Sequence, residues 1–265
     1  MKLENKAISF LQTINKNMDN LYLGFSGGKD SVVIYHLAKK AGIDFTPIYS
    51  NTTIDPPGTR SFIRHNFSDV TIIHPKESFY DLVKRKGLPE RQTRFCCEHL
   101  KERIGIGRNN ITGIRASESR ARKGRDYIQC DTRKWMKGAQ HIYPIYDWHD
   151  EDVWEFIYKY DLPIAPCYSD GCERLGCVGC PLATPQIRKF EFSIYPRYYK
   201  AIKEAIKIGM LNNPQWKISV ATDGNAEQAM QWWLSGKPIS HYFDFQYTFE
   251  KKDGVWIKKK RKTFF

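Results

Sequence analysis

The stretch LYLGFSGGKDSVVIYHLAKKAG, residues 21–42, decides the fold. Leu21 to Phe25 is a short apolar run, and Ser26-Gly27-Gly28 follows it as a turn. Residues 30–41 repeat apolar groups at Val33, Leu37 and Ala38 before Gly42. The spacing predicts a buried strand, a tight turn and a helix with Gly42 at its C-cap. A glycine-rich turn between strand and helix aims backbone N–H groups and a helix N-terminus at one point, which suits an anion. Gly27 and Gly28 permit close approach. Ser26 and Ser31 offer hydroxyls, and Lys29 adds positive charge. Asp30 would repel phosphate alone, and its presence is explained if Mg2+ sits between carboxylate and phosphates. The loop is not a Walker A motif, since Gly24 leaves only three residues before Gly28-Lys29 and Asp30 follows the lysine. The dinucleotide pattern Gly-x-Gly-x-x-Gly is absent from this turn.

Outward from that stretch, residues 3–17 read as a helix with Ile8, Leu11 and Ile14 near one face. Strands are expected at 45–49, 70–73, 111–115 and 141–145, and helices at 59–64 and 79–86. This alternation predicts an α/β fold, a doubly wound, mostly parallel, Rossmann-like sheet with helices on both faces. Trp148, Asp152 and Trp154 fall at helical or near-helical spacing, and core packing is expected of the tryptophans. After about residue 181 the texture becomes basic and aromatic, with a helix expected at 225–235. A hairpin is expected at 242–257, turning at Lys252-Asp253-Gly254. The expected domains are a nucleotide-binding domain over 1–182 with a cysteine-rich metal site, and a C-terminal extension over 183–265.

The 265 residues are 41% hydrophobic and 14% aromatic, enough to build a core. No apolar run is long enough to span a membrane. The first residues show no signal-peptide pattern, so a cytoplasmic protein is expected. There, seven cysteines point to metal or redox chemistry before disulfides. The net charge of +13 implies an anionic partner, and the last fifteen residues supply +6 of it. A solvated tail and a nucleic-acid contact both account for this. Residues 186–207 interleave Arg188, Lys189, Arg197, Lys200 and Lys203 with Phe190, Phe192, Tyr195, Tyr198 and Tyr199. That pattern suits phosphate pairing and base stacking, or an amphipathic helix with its aromatics inward.

The hexapeptide SGGKDS, residues 26–31, resembles the signature loop of the PP-loop, or N-type ATP pyrophosphatase, superfamily. Four further stretches follow in order: TRFCCEHLKERIG (93–105), GIRASESRARKG (113–124), YPIYDWHDEDVWEFI (143–157) and PCYSDGCERLGCVGCP (166–181). Together they resemble the phosphoadenosine phosphosulfate (PAPS) reductase family over about residues 20–182. The resemblance implies an adenine nucleotide α-hydrolase-like fold and chemistry at an α-phosphate. It implies nucleotide binding by Ser26, Gly27, Gly28, Lys29, Asp30, Ser31, Gly113, Arg115 and Arg122, with Lys29, Asp30 and Arg115 in catalysis. Arg115 and Arg122 suit phosphate or sulfate oxygens, and Glu118 can hold one of them in place.

The adjacent pair Cys96-Cys97 with the distant Cys177-x-x-Cys180 looks like the four-iron four-sulfur (4Fe-4S) ligand set of the adenylyl sulfate (APS) reductase branch. Zinc is the alternative metal, and uncoordinated thiols are a third reading. Cys167 and Cys172 extend a local array that can also supply four ligands, with Cys172 as the first substitute, and Cys130 lies outside both patterns. The family's reductases attack sulfur with a cysteine near the C-terminus, whereas this chain has none after Cys180. Residues 50–57, SNTTIDPP, are closer to PP-loop enzymes that consume ATP, such as those of DNA phosphorothioation. The expected function is ATP-dependent activation and sulfur transfer by an iron–sulfur enzyme, with a nucleic acid as possible acceptor. The alternatives are APS or PAPS reduction by a relocated nucleophile and a non-catalytic nucleotide- or nucleic-acid-binding subunit. A sulfur donor or thiol reductant protein is the further partner expected.

Overall fold

The computed structural model describes residues 2–243 and 247–260. Residues 261–265, the end of the basic tail, lie outside the described residues. The chain divides into two compact units, Met1–Pro75 with His99–Gly176, and Lys76–Glu98 with Cys177–Phe265. The first unit thus ends at Gly176, and residues 76–98 group with the C-terminal segment.

In chain order the first elements are α1 (Lys2–Asn17), β1 (Leu21–Gly24), α2 (Lys29–Ala41), β2 (Thr46–Ser50), α3 (Thr59–Asn66) and β3 (Thr71–Ile73). Next come α4 (Phe79–Lys86), in the second unit, and α5 (Phe95–Leu100), where the chain returns to the first. The first unit is completed by β4 (Asn109–Ile111), β5 (Ile128–Cys130), β6 (Gln140–Ile142) and α6 (Asp150–Lys159). Its sheet runs β3-β2-β1-β4-β6-β5. Every pairing is parallel except β5 with β6, which is antiparallel.

β1 is central because both its faces are covered. Leu21, Tyr22 and Leu23 are buried, as an interior parallel strand requires. Leu23 aligns with Pro47 on one side and Ile111 on the other. α2 is the innermost helix, in contact with α1 and α6. Its Val33, Ile34, Leu37 and Ala38 are fully buried. Each of the larger ones contributes roughly 1.5–3 kcal/mol of transfer free energy. Gly42 ends the helix in the left-handed region, with its N–H on the carbonyls of Ala38 and Lys39. From β1 the chain winds to β2 and β3 on one side, then passes to β4 on the other. The fold is therefore a doubly wound α/β sheet, and β1/β4 is its topological switch point.

Three sequence expectations shift. The strand expected at 141–145 is Gln140–Ile142, so 143–145 leave the sheet. The strand expected at 111–115 is Asn109–Ile111, and Thr112 to Arg115 leave the sheet as a loop. The antiparallel edge strand β5 has no counterpart among the expected elements.

The second unit holds α7 (Pro185–Ile194), α8 (Pro196–Asn212), α9 (Lys217–Ala221), α10 (Ala226–Ser235) and α11 (Ile239–Tyr242). Thr184 caps α7 by accepting from the Ile187 N–H, with Pro185 at the first helical position. α8 packs on α4, α7 and α10. Hairpin β7 (Tyr247–Lys252) and β8 (Val255–Lys260) turns at Asp253 and Gly254, both at positive φ, the type I′ turn that Asp-Gly favours. Its start at 242 is not observed: α11 reaches Tyr242, and 244–246 lie outside the described residues.

Candidate functional site

Open parallel sheets place ligands beyond the carboxyl ends of the strands at the switch point. Here β1 runs into Ser26-Gly27-Gly28 and β4 runs into Gly113-Ile114-Arg115. A cavity of about 640 Å³ opens between them, within the size range of small-molecule sites. Ser26, Gly28, Lys29, Asp30, Ser31, Gly113, Arg115 and Arg122 all line it. Of the nucleotide-binding residues expected from the sequence, only Gly27 does not. Gly27 shapes the turn instead, at φ +79, where a Cβ would also lie 3.1 Å from Ile63.

The turn is cross-braced by its own serines. Ser31 Oγ donates to the Gly28 carbonyl at 2.8 Å and accepts from the Ser26 N–H at 3.2 Å. The Gly28 N–H donates to Ser26 Oγ at 3.3 Å, and the Lys29 N–H donates to Tyr168 Oη at 2.9 Å. The first turn of α2 is thus held rigid with its N-terminal end toward the cavity.

Gly113 is small for a steric reason. A Cβ there would lie 2.8 Å from Asp30 Cβ and 3.0 Å from the Asp30 carbonyl carbon. Only glycine lets the β4 loop cross the first turn of α2 this closely.

That crossing assembles a network of charges. Arg115 donates from Nε to Asp30 at 2.7 Å and from Nη2 to Asp150 at 2.8 Å. Lys29 Nζ lies 3.2 Å from the same Asp150 oxygen. The side chains of Lys29 and Arg115 are only 6% and 5% exposed, against 25% for Asp30 and 52% for Asp150. Two buried cations therefore meet two water-accessible carboxylates. Burial would raise the Asp150 carboxyl, but the hydrogen bond and charge of Lys29, with Arg115, hold it below the usual carboxylate range.

Arg122 is held through Glu118, which also accepts the Arg115 N–H at 3.0 Å. Burial, followed by the like charges of Arg174 and Arg125, moves the Arg122 guanidinium below its ordinary value. The cavity also takes in Asp150, Tyr168, Glu173 and Arg174, none of which the sequence motifs assign to a site. Asp150 is the first residue of α6, where an acid reads as an ordinary helix-dipole partner.

The tryptophans behave as expected. Trp148 is 3% exposed, and Trp154 packs against the core. Cys172 lines a smaller cavity of the same unit, together with Asp150, Trp154, Tyr168 and Glu173.

In the second unit, none of the cysteines forms a disulfide. Among the described residues no three His, Cys, Asp or Glu side chains are arranged to hold a metal ion. Cys96, Cys97, Cys177 and Cys180 are nevertheless neighbours. The Cys96 thiol is pushed up by its hydrogen bond with Cys97, by burial, and by the charges of Cys97, Cys177 and Cys180. Four soft sulfurs within electrostatic reach repel one another as thiolates, and a bound cation or cluster relieves that repulsion. In kind, the four thiols suit a thiolate-ligated metal group; in arrangement, among the described residues, they do not form its site. Cys130, on β5, is exposed. Of the aromatics in 186–207, Phe192 and Tyr195 are buried and Phe190 is exposed, so the aromatics-inward reading holds for the first two; Arg188 is buried as well and is withdrawn from any phosphate-facing surface.

The sheet order and the loop at its switch point define an adenine nucleotide α-hydrolase-like α/β protein. The chain belongs to the phosphoadenosine phosphosulfate reductase domain family, whose model matches residues 20–183. It is 30% identical over 221 residues to an uncharacterized protein of Methanocaldococcus jannaschii, covering 78% of this chain and 53% of that protein. It is 26% identical to the adenosine 5'-phosphosulfate reductase of Allochromatium vinosum, covering 68% of this chain and 75% of the relative. The crystal structure of phosphoadenylyl-sulfate reductase from Candida auris, a phosphate complex, has the same fold. It superposes with a TM-score of 0.51 at 21% identity, over 65% of this chain and 88% of that one. The chain spans about half the length of the first of these relatives, and 40% of a second M. jannaschii protein. No helix among the described residues is long and apolar enough to cross a membrane.

Proposed function

We propose that the chain is a nucleotide-processing enzyme of sulfur chemistry. In this reading it binds an adenine nucleotide, ATP first, at the Ser26–Ser31 turn and acts at the α-phosphate. One observation carries the proposal: Lys29 and Arg115, both buried, converge at the switch-point cavity, with carboxylates as their charge partners. A phosphate chain entering there meets the α2 N-terminus and two desolvated cations, which suit charge developing at phosphorus. Arg122 extends the positive edge. Asp30 and Asp150 offer oxygen donors on the same wall and fit Mg2+, which when bound would neutralise phosphate charge. Arg115 orients Asp30 for that task.

The Cys96, Cys97, Cys177 and Cys180 set is assigned to a 4Fe-4S cluster, with zinc as the alternative metal. A cluster would supply electron transfer or sulfur handling there. A nucleic acid is the proposed acceptor. Supporting this are the net charge of +13 and the exposed Lys251, Lys252 and Lys259 of the hairpin. A sulfur donor or thiol reductant protein completes the set.

Turnover of ATP to pyrophosphate, stimulated by DNA or tRNA, tests the reading. Asp30→Ala should abolish it in a protein that still folds, with a lower melting temperature because Arg115 then keeps only Asp150 as its carboxylate partner; full activity in that variant removes Asp30 from the chemistry. A second reading, reduction of APS or PAPS, draws on Cys172, whose cavity shares Asp150, Tyr168 and Glu173 with the larger one. Sulfite release from APS with a thiol donor, lost in Cys172→Ser, selects it. Nucleotide binding without turnover selects a binding subunit instead.

A further inference from the structure

Arg188 is the least expected side chain of the second unit. It is 2% exposed, on a helix whose sequence reads as a basic surface. Nη1 donates to the Trp233 carbonyl at 2.5 Å, and the guanidinium lies 4.1 Å from the Trp233 ring centroid. Nε and Nη2 are buried and have no hydrogen-bond partner among the described residues. Buried donors are satisfied almost everywhere in native proteins, so two on one charged group require an explanation.

The surroundings supply it. One turn further along α7, Glu191 accepts the Gly179 N–H at 2.7 Å, which ties the helix to the Cys177–Cys180 loop. Gly179 sits at φ +72, and a Cβ there would meet Phe192 at 2.4 Å and Trp233 at 3.3 Å. The Cys-x-x-Cys loop is thus seated directly on the Arg188, Glu191 and Phe192 side of α7 and on Trp233.

We propose that Arg188 is a positioning residue for the Cys96/Cys97/Cys177/Cys180 centre, keeping Nε and Nη2 available to donate to its sulfurs and offset its negative charge. This rests on the reading of those cysteines as a metal-binding set. Hydrogen bonds to sulfur and nearby positive charge stabilise the reduced, more negative form of a cluster. A guanidinium suits the role because it stays charged when buried and presents a fixed fork of donors. A single carbonyl and an indole face hold it in place without consuming that fork.

The test uses the full chain purified anaerobically as wild type, Arg188→Met and Arg188→Lys. Iron, sulfide and zinc contents come first, followed by an EPR-monitored redox titration and the rate of metal loss to a chelator. With a cluster present, Arg188→Met should shift the reduction equilibrium about tenfold toward the oxidised form, close to 59 mV for one electron. It should also release metal about tenfold faster, and Arg188→Lys should recover most of both effects. If the wild type binds zinc, the release rates alone carry the comparison. If it binds no metal, the ligand reading fails and this proposal fails with it. If it binds a metal whose potential and release rate are unchanged in Arg188→Met, the ligand reading stands and the role of Arg188 is overturned. Should the Met variant not fold, a Lys variant that folds but behaves unlike wild type in both measurements also overturns it, because the charge would then not be what matters.

Discussion

Gly113→Ala is the sharpest perturbation of the charge network, because it adds one methyl group at the crossing of the β4 loop over α2. The new Cβ would lie 2.8 Å from Asp30 Cβ, 3.0 Å from its carbonyl carbon and 3.1 Å from its carbonyl oxygen. Two of these neighbours belong to the α2 backbone, so no rotamer change relieves the contact. Overpacking of this kind costs roughly 1–3 kcal/mol. Taking about 2 kcal/mol, the melting temperature should fall by roughly 4–8 °C. The relief route moves Asp30 away from Arg115, whose Nε contact is 2.7 Å. On the reading that Asp30 holds Mg2+ beside the phosphates, displacing it should lower the affinity for ATP with Mg2+ about tenfold or more. Differential scanning fluorimetry and isothermal titration calorimetry with ATP and Mg2+ read the two effects. Gly124→Ala is the control, since a Cβ there meets nothing within 4 Å. A Gly113→Ala protein that melts within about 1 °C of wild type and binds ATP equally would refute the close-approach argument.

Tyr168→Phe removes the acceptor of the Lys29 N–H, a bond of 2.9 Å. It should lower stability by about 1 kcal/mol in nucleotide-free protein. Added pyrophosphate should narrow that deficit, since an anion can take up the same N–H; a deficit that pyrophosphate leaves unchanged counts against the turn as the anion site. Glu4 tests the α1 packing by pH. Burial alone would raise its carboxyl, but hydrogen bonds from Lys159, Lys40 and Tyr160 lower it from 4.5 to about 2. A depressed folded-state value stabilises above the unfolded value and is lost as pH falls through the folded one, here between about 4.5 and 2. With the lysine partners partly exposed, Glu4→Gln should cost no more than about 1 kcal/mol at pH 7 and flatten the acid limb of a urea-melt series across that window. A variant with the wild-type acid profile would remove the network from the stability account.

The parts of this molecule legible in its sequence are those written in neighbouring residues. The apolar run, paired glycines and amphipathic repeat of 21–42 yielded β1, the turn and α2 to within a residue or so. Asp-Gly yielded the hairpin turn. β5 stayed hidden because three residues, Ile-Gln-Cys, carry too little periodicity to register, and their pairing with β6 is a tertiary fact. The fourth strand was placed late for a related reason. Ile111 and Ile114 suggest a strand over 111–115, yet after Ile111 the chain leaves the sheet and Gly113 passes over α2.

The candidate site divides along the same line. Its cations were legible as residue types, and so was Glu118 as the near partner of Arg122, whereas the distant pairings of Lys29 and Arg115 were not. Arg115 meets Asp30 across 85 residues and Asp150 across 35, distances over which composition and spacing carry no signal. Asp150 looked like a helix-start acid and is one, since it begins α6. What the fold adds is the direction in which that start points, toward Lys29 and Arg115. Two cations this buried are costly without neutralisation, so carboxylates are needed whenever no anion occupies the cavity. Water-accessible carboxylates can turn toward a metal or solvent once phosphates arrive. The exposure difference, a few per cent for the cations against 25% and 52% for the acids, is the arrangement such an exchange requires.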